Sequence, residues 1–350
     1  MSFKIATINP GSTSTKVALF DDENSIAQKN FRLDKRHAQK ELWDQFDHRL
    51  SVVQDFLNEQ NINFLDAAVG RGGLLKPVKS GTYKVNETML EHARTGLQGQ
   101  HASNLGCALA FEIASQYHCP AFIVDPVSVD EFEPLARYSG HPLIERRTLA
   151  HTLSIRASAF RAAEKLSIDI KSSRFIVAHM GGGISVAAVK NGRIIDVNDA
   201  ASAGPFSPER SGSLPLQQFI DLCYSGNYTK NQVRNMVMGE GGLVAYLGTS
   251  DVRQIEEKIA TGDRNAEQVF DAMIYQIAKE IGGISCVFNG KVDAIILTGG
   301  LTNSRRVVES LQIKSRFIAP ILVFLGELEM SALAHGALRV LKGMEKARDY

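Results

Sequence analysis

The feature that most constrains the fold is a motif that occurs twice, near the start of each half of the chain. In the first copy, strand-like runs flank a polar bend at 9–16. In the second copy, apolar strand-like runs flank a bend that contains three glycines at 181–183. Each copy predicts a β-hairpin. Two such hairpins, one opening each half, predict a duplicated α/β domain.

Each bend is suited to hold an anion. The first combines Asn9, Gly11, four consecutive hydroxyl residues at 12–15 and Lys16, so it offers N–H groups, hydroxyls and a cation. An ordinary hydroxyl-rich hairpin is the alternative, but the recurrence favours two phosphate loops that face each other across a nucleotide cleft. The chain lacks G-x-x-x-x-G-K-[ST], and no G-x-G-x-x-G links a strand to a helix, which argues against a P-loop and a dinucleotide fold.

Composition excludes several classes of partner. With 350 residues the chain is long enough for two domains. The net charge is +1 and there is no long basic run, so we expect no nucleic-acid partner. No apolar run approaches the ~18 residues of a membrane span. Four scattered cysteines fit a reducing compartment, and we expect a cytoplasmic protein.

Two further polar residues follow buried strands. Arg71 lies between glycines just after the apolar run 67–69, and Asp125 directly follows the run 121–124. Ligands of open α/β sheets bind beyond the carboxyl ends of strands. Asn9, Arg71 and Asp125 all occupy such positions, and this shared placement favours a ligand-binding role for all three. An arginine fork matches a carboxylate or phosphate, although a surface arginine in a turn explains Arg71 alone equally well.

The second half adds two candidate loops. The segment 203–213 is rich in Gly, Pro and Ser around Glu209 and Arg210, and long loops in compact domains are often functional. An apolar strand enters Gly299-Gly300, a turn that lets a ligand approach the backbone.

Other segments have structural expectations. We expect 127–147 to be an irregular crossover between domains, and 148–166 to be a helix with His151 in its first turn. Ser250 or Asp251 is expected to cap the next helix.

These residues together resemble the acetate and butyrate kinase family, within the actin/hexokinase/Hsp70 superfold. The matching motifs are 9–16, 70–75, 101–106, 125–127, 179–183, 210–212, 248–253 and 298–301. The motifs at 70–75 and 101–106, and the chain length, resemble the butyrate branch. The resemblance implies an α/β fold of two duplicated actin-like (ribonuclease H-like) ATPase domains, 1–125 with a C-terminal helix at 330–350, and 126–329.

The implied reaction is reversible transfer of the ATP γ-phosphoryl group to a short-chain fatty acid, butyrate or a branched relative, giving acyl phosphate and ADP. By this resemblance Arg71 binds the carboxylate, Asp125 lies at the reacting centre, and Arg210 stabilises the transition state. Asn9 and Glu329 hold Mg²⁺. The residues implied to surround the ATP or ADP co-substrate are Lys16, His179, Gly181, Gly182, Gly183, Asp251, Arg253, Gly299, Gly300 and Asn303. A homodimer or higher even oligomer is also implied.

The chain departs from the family pattern at two places. Acetate kinases carry H-G-T-S-H, and the matching run here begins with His151 but ends with Ile155. A phosphoryl contact is therefore carried over to His151 only, with a polar residue at a helix start as the alternative. Leu325 and Leu328 stand where the family has Pro and an acidic or amide residue, while Glu329 still aligns.

Three alternatives stay open. The carboxylate is undecided between butyrate-type and acetate- or propionate-type acids, because one methylene changes binding by only about 1–3 kcal/mol. A sugar kinase of the same superfold would depend on a base such as Asp125 to deprotonate a hydroxyl. A non-catalytic ATPase would need neither Arg71 nor Arg210.

Overall fold

A computed structural model describes residues 2–38, 40–326 and 328–350 of the chain. The chain forms two compact units, Met1–Glu131 with Leu328–Tyr350, and Phe132–Glu327. The chain therefore leaves the first unit, builds the second and returns to the first. Within the described ranges, no helix is both long and apolar enough to cross a bilayer.

A six-stranded sheet forms the centre of the first unit. Its strands are β1 (Lys4–Pro10), β2 (Ser14–Asp21), β3 (Asn24–Arg32), β4 (Ala67–Arg71), β5 (Thr82–Lys84) and β6 (Ala121–Val124). Their spatial order is β3-β2-β1-β4-β6-β5. Strands β1, β4 and β6 are parallel, with Ile8 opposite Gly70 and Arg71 opposite Val124. The carboxyl ends of these three strands therefore lie at the same edge of the sheet.

Helices α2 (Phe46–Glu59) and α4 (Leu105–Tyr117) pack on this sheet through their apolar stripes. The same part of the chain also contains α1 (Lys35–Ala38) and α3 (Glu87–Thr95). Val53 and Phe56 of α2 and Leu109 of α4 pack with Ile8 and Leu19 of the sheet in one buried core. A 3₁₀ turn at Trp43–Gln45 precedes α2.

The second unit repeats this strand order. Its strands are β7 (Tyr138–His141), β8 (Ile144–Glu145), β9 (Arg174–Met180), β10 (Ile184–Lys190), β11 (Arg193–Val197), β12 (Ala294–Gly299) and β13 (Ile321–Leu325). The main sheet has the order β11-β10-β9-β12-β13, which matches β3-β2-β1-β4-β6 of the first unit. In both sheets the first strand of an antiparallel hairpin also pairs with a parallel strand on its other side. The predicted duplication is confirmed.

The prediction of an irregular segment over 127–147 is wrong for residues 138–145. Strands β7 and β8 form a separate two-stranded sheet there. All their residues are exposed. A strand with no buried face has no apolar alternation, so the sequence pattern could not indicate it.

Helices of the second unit build its core around one long element. They are α5 (Thr152–Leu166), α6 (Leu216–Tyr224), α7 (Lys230–Val237), α8 (Leu243–Leu247), α9 (Val252–Ala260), α10 (Arg264–Ser285) and α11 (Arg305–Ser315). Phe270, Met273 and Ile277 of α10 are fully buried with Ile176 and Val186 of the sheet. Helix α5 contacts β9 and β12.

The last helix, α12 (Glu329–Leu341), completes the first unit by packing on β1, β4 and β6. The predicted helix covers 330–350; the observed helix begins one residue earlier, at Glu329, and ends at Leu341. Gly336 sets the closeness of the packing, since a Cβ atom there would lie 2.5 Å from both methyl carbons of Val124. The first turn of α12 is therefore held near the carboxyl ends of the three parallel strands.

Candidate active site

Three side chains of the first unit form a polar cluster near the ends of β1 and β4 and the start of α12. The Asn9 amide nitrogen donates to Glu329 Oε2 at 2.6 Å, and Arg71 Nη1 donates to Asn9 Oδ1 at 3.3 Å. Arg71 Nη1 also lies 3.1 Å from Glu329 Oε1, and the two side chains are only 17% and 14% exposed. Charges this shielded from solvent are less screened by salt than surface charges.

Asp125 directly follows β6, the strand next to β4. Its φ is 41°, in the left-handed region that non-glycine residues seldom adopt. Its Oδ1 accepts a hydrogen bond from the Gly81 N–H at 2.7 Å, and the residue is buried. The fold therefore places Asp125 at the same sheet edge as Asn9 and Arg71, as expected from their positions after parallel strands.

Lys16 lies directly opposite Asn9 in the β1–β2 hairpin. Residues opposite each other in an antiparallel pair direct their side chains to the same face of the sheet. The bend between them is closed by a hydrogen bond from the Gly11 N–H to the Ser14 carbonyl at 2.7 Å. One face of this hairpin thus carries both the amide and the lysine predicted from sequence.

Arg49 of α2 reaches this bend from the interior, and the sequence analysis missed it. Its Nη1 donates to Ser14 O at 3.0 Å and to Thr15 Oγ1 at 2.8 Å, and its Nη2 donates to Gly11 O at 2.9 Å. A signal was present in the sequence. Arg49 lies three residues after Phe46 and four before Val53, on the apolar stripe of the helix, where a charged residue is unusual.

In the second unit two histidine rings lie side by side. The ring centroids of His151 and His179 are 4.6 Å apart, and the ring planes are tilted by 34°. His151 Nδ1 lies 2.9 Å from Ser185 Oγ, which orients the ring. The prediction that His151 lies in the first turn of a helix is wrong. With ψ at 58° it is the residue just before Thr152, where α5 begins.

The glycine bend after β9 is packed against the loop that carries Arg210. Ser207 Oγ donates to the Gly182 carbonyl at 2.6 Å. A Cβ atom on Gly183 would lie 2.3 Å from Arg210 Nη1, so only glycine leaves room for the guanidinium. Arg210 Nη1 donates to the Ala200 carbonyl at 2.6 Å. Burial lowers the pKa of the Arg210 guanidinium, while the nearby charge of Glu209 opposes that shift.

Gly299 and Gly300 lie at the end of β12, beside β9. Thr298 pairs with His179 in the parallel register. Gly299 has a φ of 93°, and a Cβ there would lie 2.5 Å from the Met180 carbonyl oxygen. Gly300 is exposed, and Asn303 Nδ2 donates to its carbonyl at 3.0 Å. The His179–Met180 and Gly299–Gly300 segments are therefore neighbours.

Asp251 has a local structural role. Its Oδ1 accepts from the Arg253 backbone N–H at 2.9 Å, which makes Asp251 the N-cap of α9. The predicted cap is confirmed for Asp251. Both Asp251 and Arg253 are exposed at the start of this helix.

The candidate residues thus form two sets. In the first unit the cluster of Arg71, Asn9 and Glu329 combines a cationic fork with amide and carboxylate oxygens, which can bind an anion and a hard cation. In the second unit the glycine bend, the histidine pair and Arg210 supply backbone N–H groups and a half-buried cation.

Comparison with known proteins identifies relatives over the full length. The chain is 48% identical over 355 residues to "Butyrate kinase 2" of Clostridium acetobutylicum, covering 100% of both chains. It is 49% identical over 352 residues to "Probable butyrate kinase 2" of Caldanaerobacter subterraneus subsp. tengcongensis, covering 99% of each.

The fold is shared with a solved structure. A crystal structure of the acetate kinase of Porphyromonas gingivalis superposes with a TM-score of 0.81 at 18% identity, over 97% of this chain and 99% of that one. This likeness shows the fold, and it confirms the predicted actin-like α/β architecture. The model of the acetokinase family matches residues 135–319. Together with the full-length identity of nearly one half to curated relatives, this match shows that the chain belongs to the acetokinase family.

Proposed function

We infer that the protein transfers the γ-phosphoryl group of ATP reversibly to a short-chain carboxylate, giving an acyl phosphate and ADP. The observation that carries this inference is the arrangement of Arg71 beside Asn9 and Glu329, in a chain of the acetokinase family. A free carboxylic acid of this kind titrates near pH ~4–5 and is already ionised at neutral pH. The enzyme therefore needs to bring two anions together more than it needs a strong base.

Arg71 is proposed to bind the substrate carboxylate. A guanidinium presents two parallel N–H donors that match two carboxylate oxygens. Its Nη1 is held by Asn9 and Glu329, so the orientation of the guanidinium is set before substrate binds. Arg210 is proposed to stabilise charge on the moving phosphoryl group, with His151 as a further donor to it.

Residues of the glycine bends are proposed to bind the nucleotide. These are Lys16, His179, Gly181, Gly182, Gly183, Gly299, Gly300 and Asn303, with Asp251 and Arg253 beside them. Backbone N–H groups at glycine turns suit phosphate oxygens. Asp251 also caps α9.

The residues at the first-unit cluster fit a magnesium ion. Glu329 and Asn9 offer carboxylate and amide oxygens, the ligand type that Mg²⁺ prefers, and Mg²⁺ is usually bound through one or two carboxylates and substrate phosphates. Such an ion would neutralise charge on the phosphate groups. We propose that Asn9 and Glu329 hold it. Among the described residues no group of three or more His, Cys, Asp or Glu is placed to hold a metal, which fits an ion carried mainly by the nucleotide.

Butyrate or a branched relative is the proposed acceptor, supported by the names of the two curated relatives. A sugar kinase is not favoured by the curated relatives, since both are named as butyrate kinases. We also propose a cytoplasmic enzyme, since it draws on ATP, and a homodimer or higher even oligomer.

Trapping acyl phosphate with hydroxylamine tests the function directly. The purified protein is incubated with Mg-ATP in parallel reactions, each of which contains one acceptor: butyrate, isobutyrate, isovalerate, propionate, acetate or glucose. We expect hydroxamate with the four- and five-carbon acids at higher kcat/KM than with acetate. If no acid gives hydroxamate and ADP is released with glucose, the protein is a sugar kinase and not a carboxylate kinase.

A further inference from the structure

Arg49 is a buried cation that forms no ion pair with any carboxylate of the described residues. The residue is 0% exposed, and all its hydrogen bonds to described residues go to carbonyl, hydroxyl or amide oxygens. Burial lowers the pKa of its guanidinium to about 10, so the group stays charged at neutral pH. A charge is expensive to bury unless it is paired. A charge placed here at that cost indicates a function that uses it.

The guanidinium turns carbonyl groups of the 10–15 loop toward the interior. Its Nη2 donates to Gly11 O at 2.9 Å, and its Nη1 donates to Ser14 O at 3.0 Å. The Thr13 carbonyl is held separately, by the Leu33 N–H at 2.9 Å. Three carbonyl oxygens of the loop are therefore occupied by donors of the protein, and their negative ends do not face a ligand.

The N–H groups of the same loop are directed elsewhere. Those of Ser12 and Thr13 have no acceptor within the described part of the chain, and both residues are exposed. Successive N–H groups of this kind form a concavity that attracts anions. Arg49 lies behind the loop and Lys16 lies beside it, so the backbone donors are flanked by two cationic residues.

We propose that Arg49 is a positioning residue for the phosphate groups of ATP. It holds the 10–15 loop with its N–H groups outward, and its buried charge attracts the phosphates through the loop without touching them. This inference rests on the proposed function, in which the loop binds the nucleotide. Arg49 is not among the residues that the family resemblance supplied. It has two separable roles: its hydrogen bonds hold the loop in place, and its positive charge attracts the phosphates.

Gln45 offers a way to remove the charge while keeping the support. Its Oε1 accepts from Arg49 Nε at 3.2 Å and from Nη2 at 2.8 Å. Gln45→Glu places a carboxylate of nearly the same shape at this position. The arginine keeps its acceptor, but the local net charge falls from one to zero. The substitution also replaces the Gln45 Nε2 donor, which lies 2.9 Å from the Lys40 carbonyl, by an oxygen. An arginine–carboxylate bond is stronger than an arginine–amide bond and offsets this loss, so the melting temperature is expected to stay near the wild-type value.

Calorimetric binding of Mg-ATP is the main measurement. We expect Gln45→Glu to raise the Kd of ATP about fivefold or more, because Coulomb attraction across the protein is weakly screened. The KM of the carboxylate should change by less than about twofold, since Arg71 and not this loop binds it. Ser51→Glu is the matched control: it adds the same charge to an exposed position of α2, and ATP affinity should stay at the wild-type value.

Two substitutions of Arg49 complete the series. Arg49→Met should lose both ATP affinity and thermal stability, and Arg49→Lys should recover the affinity only in part, because lysine keeps the charge and loses the fork. If Arg49→Met does not fold, Gln45→Glu still decides the question. Wild-type ATP affinity in Gln45→Glu, or a loss of affinity matched by a fall in melting temperature, would overturn the proposal. Calorimetry does not require turnover, so failure of the acyl-phosphate assay in the wild type is a separate result that bears on the proposed function.

Discussion

At the scale of single residues, the two arginines predicted from sequence have different surroundings. Arg71 is held on one side by Asn9 and Glu329, so it can meet a carboxylate in the ground state and the transition state alike. Arg210 is packed under Gly183 and bonded to the Ala200 carbonyl. Arg210 is the arginine proposed to meet the charge that develops on the phosphoryl group.

The first prediction separates these roles. Arg210→Ala should lower kcat by ~10²-fold or more and leave the KM of ATP nearly unchanged. Arg71→Ala should mainly raise the KM of the carboxylate. Lysine at either site should restore little, because it lacks the bidentate fork. Steady-state kinetics of the four variants measure this, and a kcat near wild type in Arg210→Ala would remove Arg210 from the mechanism.

Neighbouring glycines provide a second prediction at this scale. A Cβ on Gly183 would overlap the Arg210 guanidinium, whereas a Cβ on Gly182 would lie 3.1 Å from the carboxylate of Glu209, an exposed side chain. Gly183→Ala should therefore displace Arg210 and lower kcat in the same direction as Arg210→Ala. Gly182→Ala is the comparison: it leaves Arg210 in place, so it should lower kcat less than Gly183→Ala does. Equal kcat values in the two variants would show that the position of Arg210 does not limit the reaction.

At the scale of elements, α12 carries a proposed metal-binding residue and a packing residue on one helix. Glu329 begins the helix, and Gly336 packs against Val124 two turns later. The close approach at Gly336 fixes where the helix lies on β6, and with it the position of the Glu329 carboxylate near Asn9 and Arg71. Packing and site geometry are therefore linked through this helix.

Gly336→Ala should lower the free energy of unfolding by about 1–3 kcal/mol, because the added methyl group has no room. Gly283→Ala in α10 is the matched control. No atom lies within 4 Å of a Cβ at that position, so the same substitution should raise stability by about 0.5–1 kcal/mol through reduced chain entropy. Urea unfolding of both variants checks the signs. A Gly336→Ala protein as stable as wild type would contradict the close packing of α12 on β6.

At the scale of the whole molecule, α6 has a surface that the second unit does not cover. None of its nine residues is buried, although the helix contains Leu216, Phe219 and Ile220. Leu216 and Tyr224 are 73% and 87% exposed. Large apolar patches of this kind mark association surfaces in many proteins, which supports the proposed oligomer.

A substitution on this helix tests the oligomer. We expect the wild type to sediment as a dimer or a higher even oligomer at micromolar concentration. Leu216→Asp should shift it toward smaller species, since a charge in an apolar interface is costly. Ile313→Asp, at an exposed position of α11, is the control and should leave the sedimentation coefficient unchanged. A wild-type protein that is monomeric throughout would reject the proposed oligomer.

The sequence by itself determined the duplicated hairpins, the strands that lead into Asn9, Arg71 and Asp125, and the family. These features depend on local patterns: apolar alternation, glycine at bends and short motifs of fixed spacing. They were accessible because each is encoded in a contiguous run of residues. The exposed hairpin β7–β8 was not, since it has no buried face to produce alternation.

Only the tertiary structure decided which distant residues meet. Glu329 lies 320 residues from Asn9 in sequence, yet the two side chains are hydrogen-bonded to each other. In the sequence, Arg49 is a charged residue on an apolar stripe without an evident partner. In the structure, its guanidinium donates to the carbonyls of Gly11 and Ser14, which belong to the β1–β2 hairpin. The physical reason is the same in both cases. A polar group can be buried only where other elements supply its hydrogen-bond partners. Tertiary packing determines which elements meet, and a local sequence pattern does not contain that information.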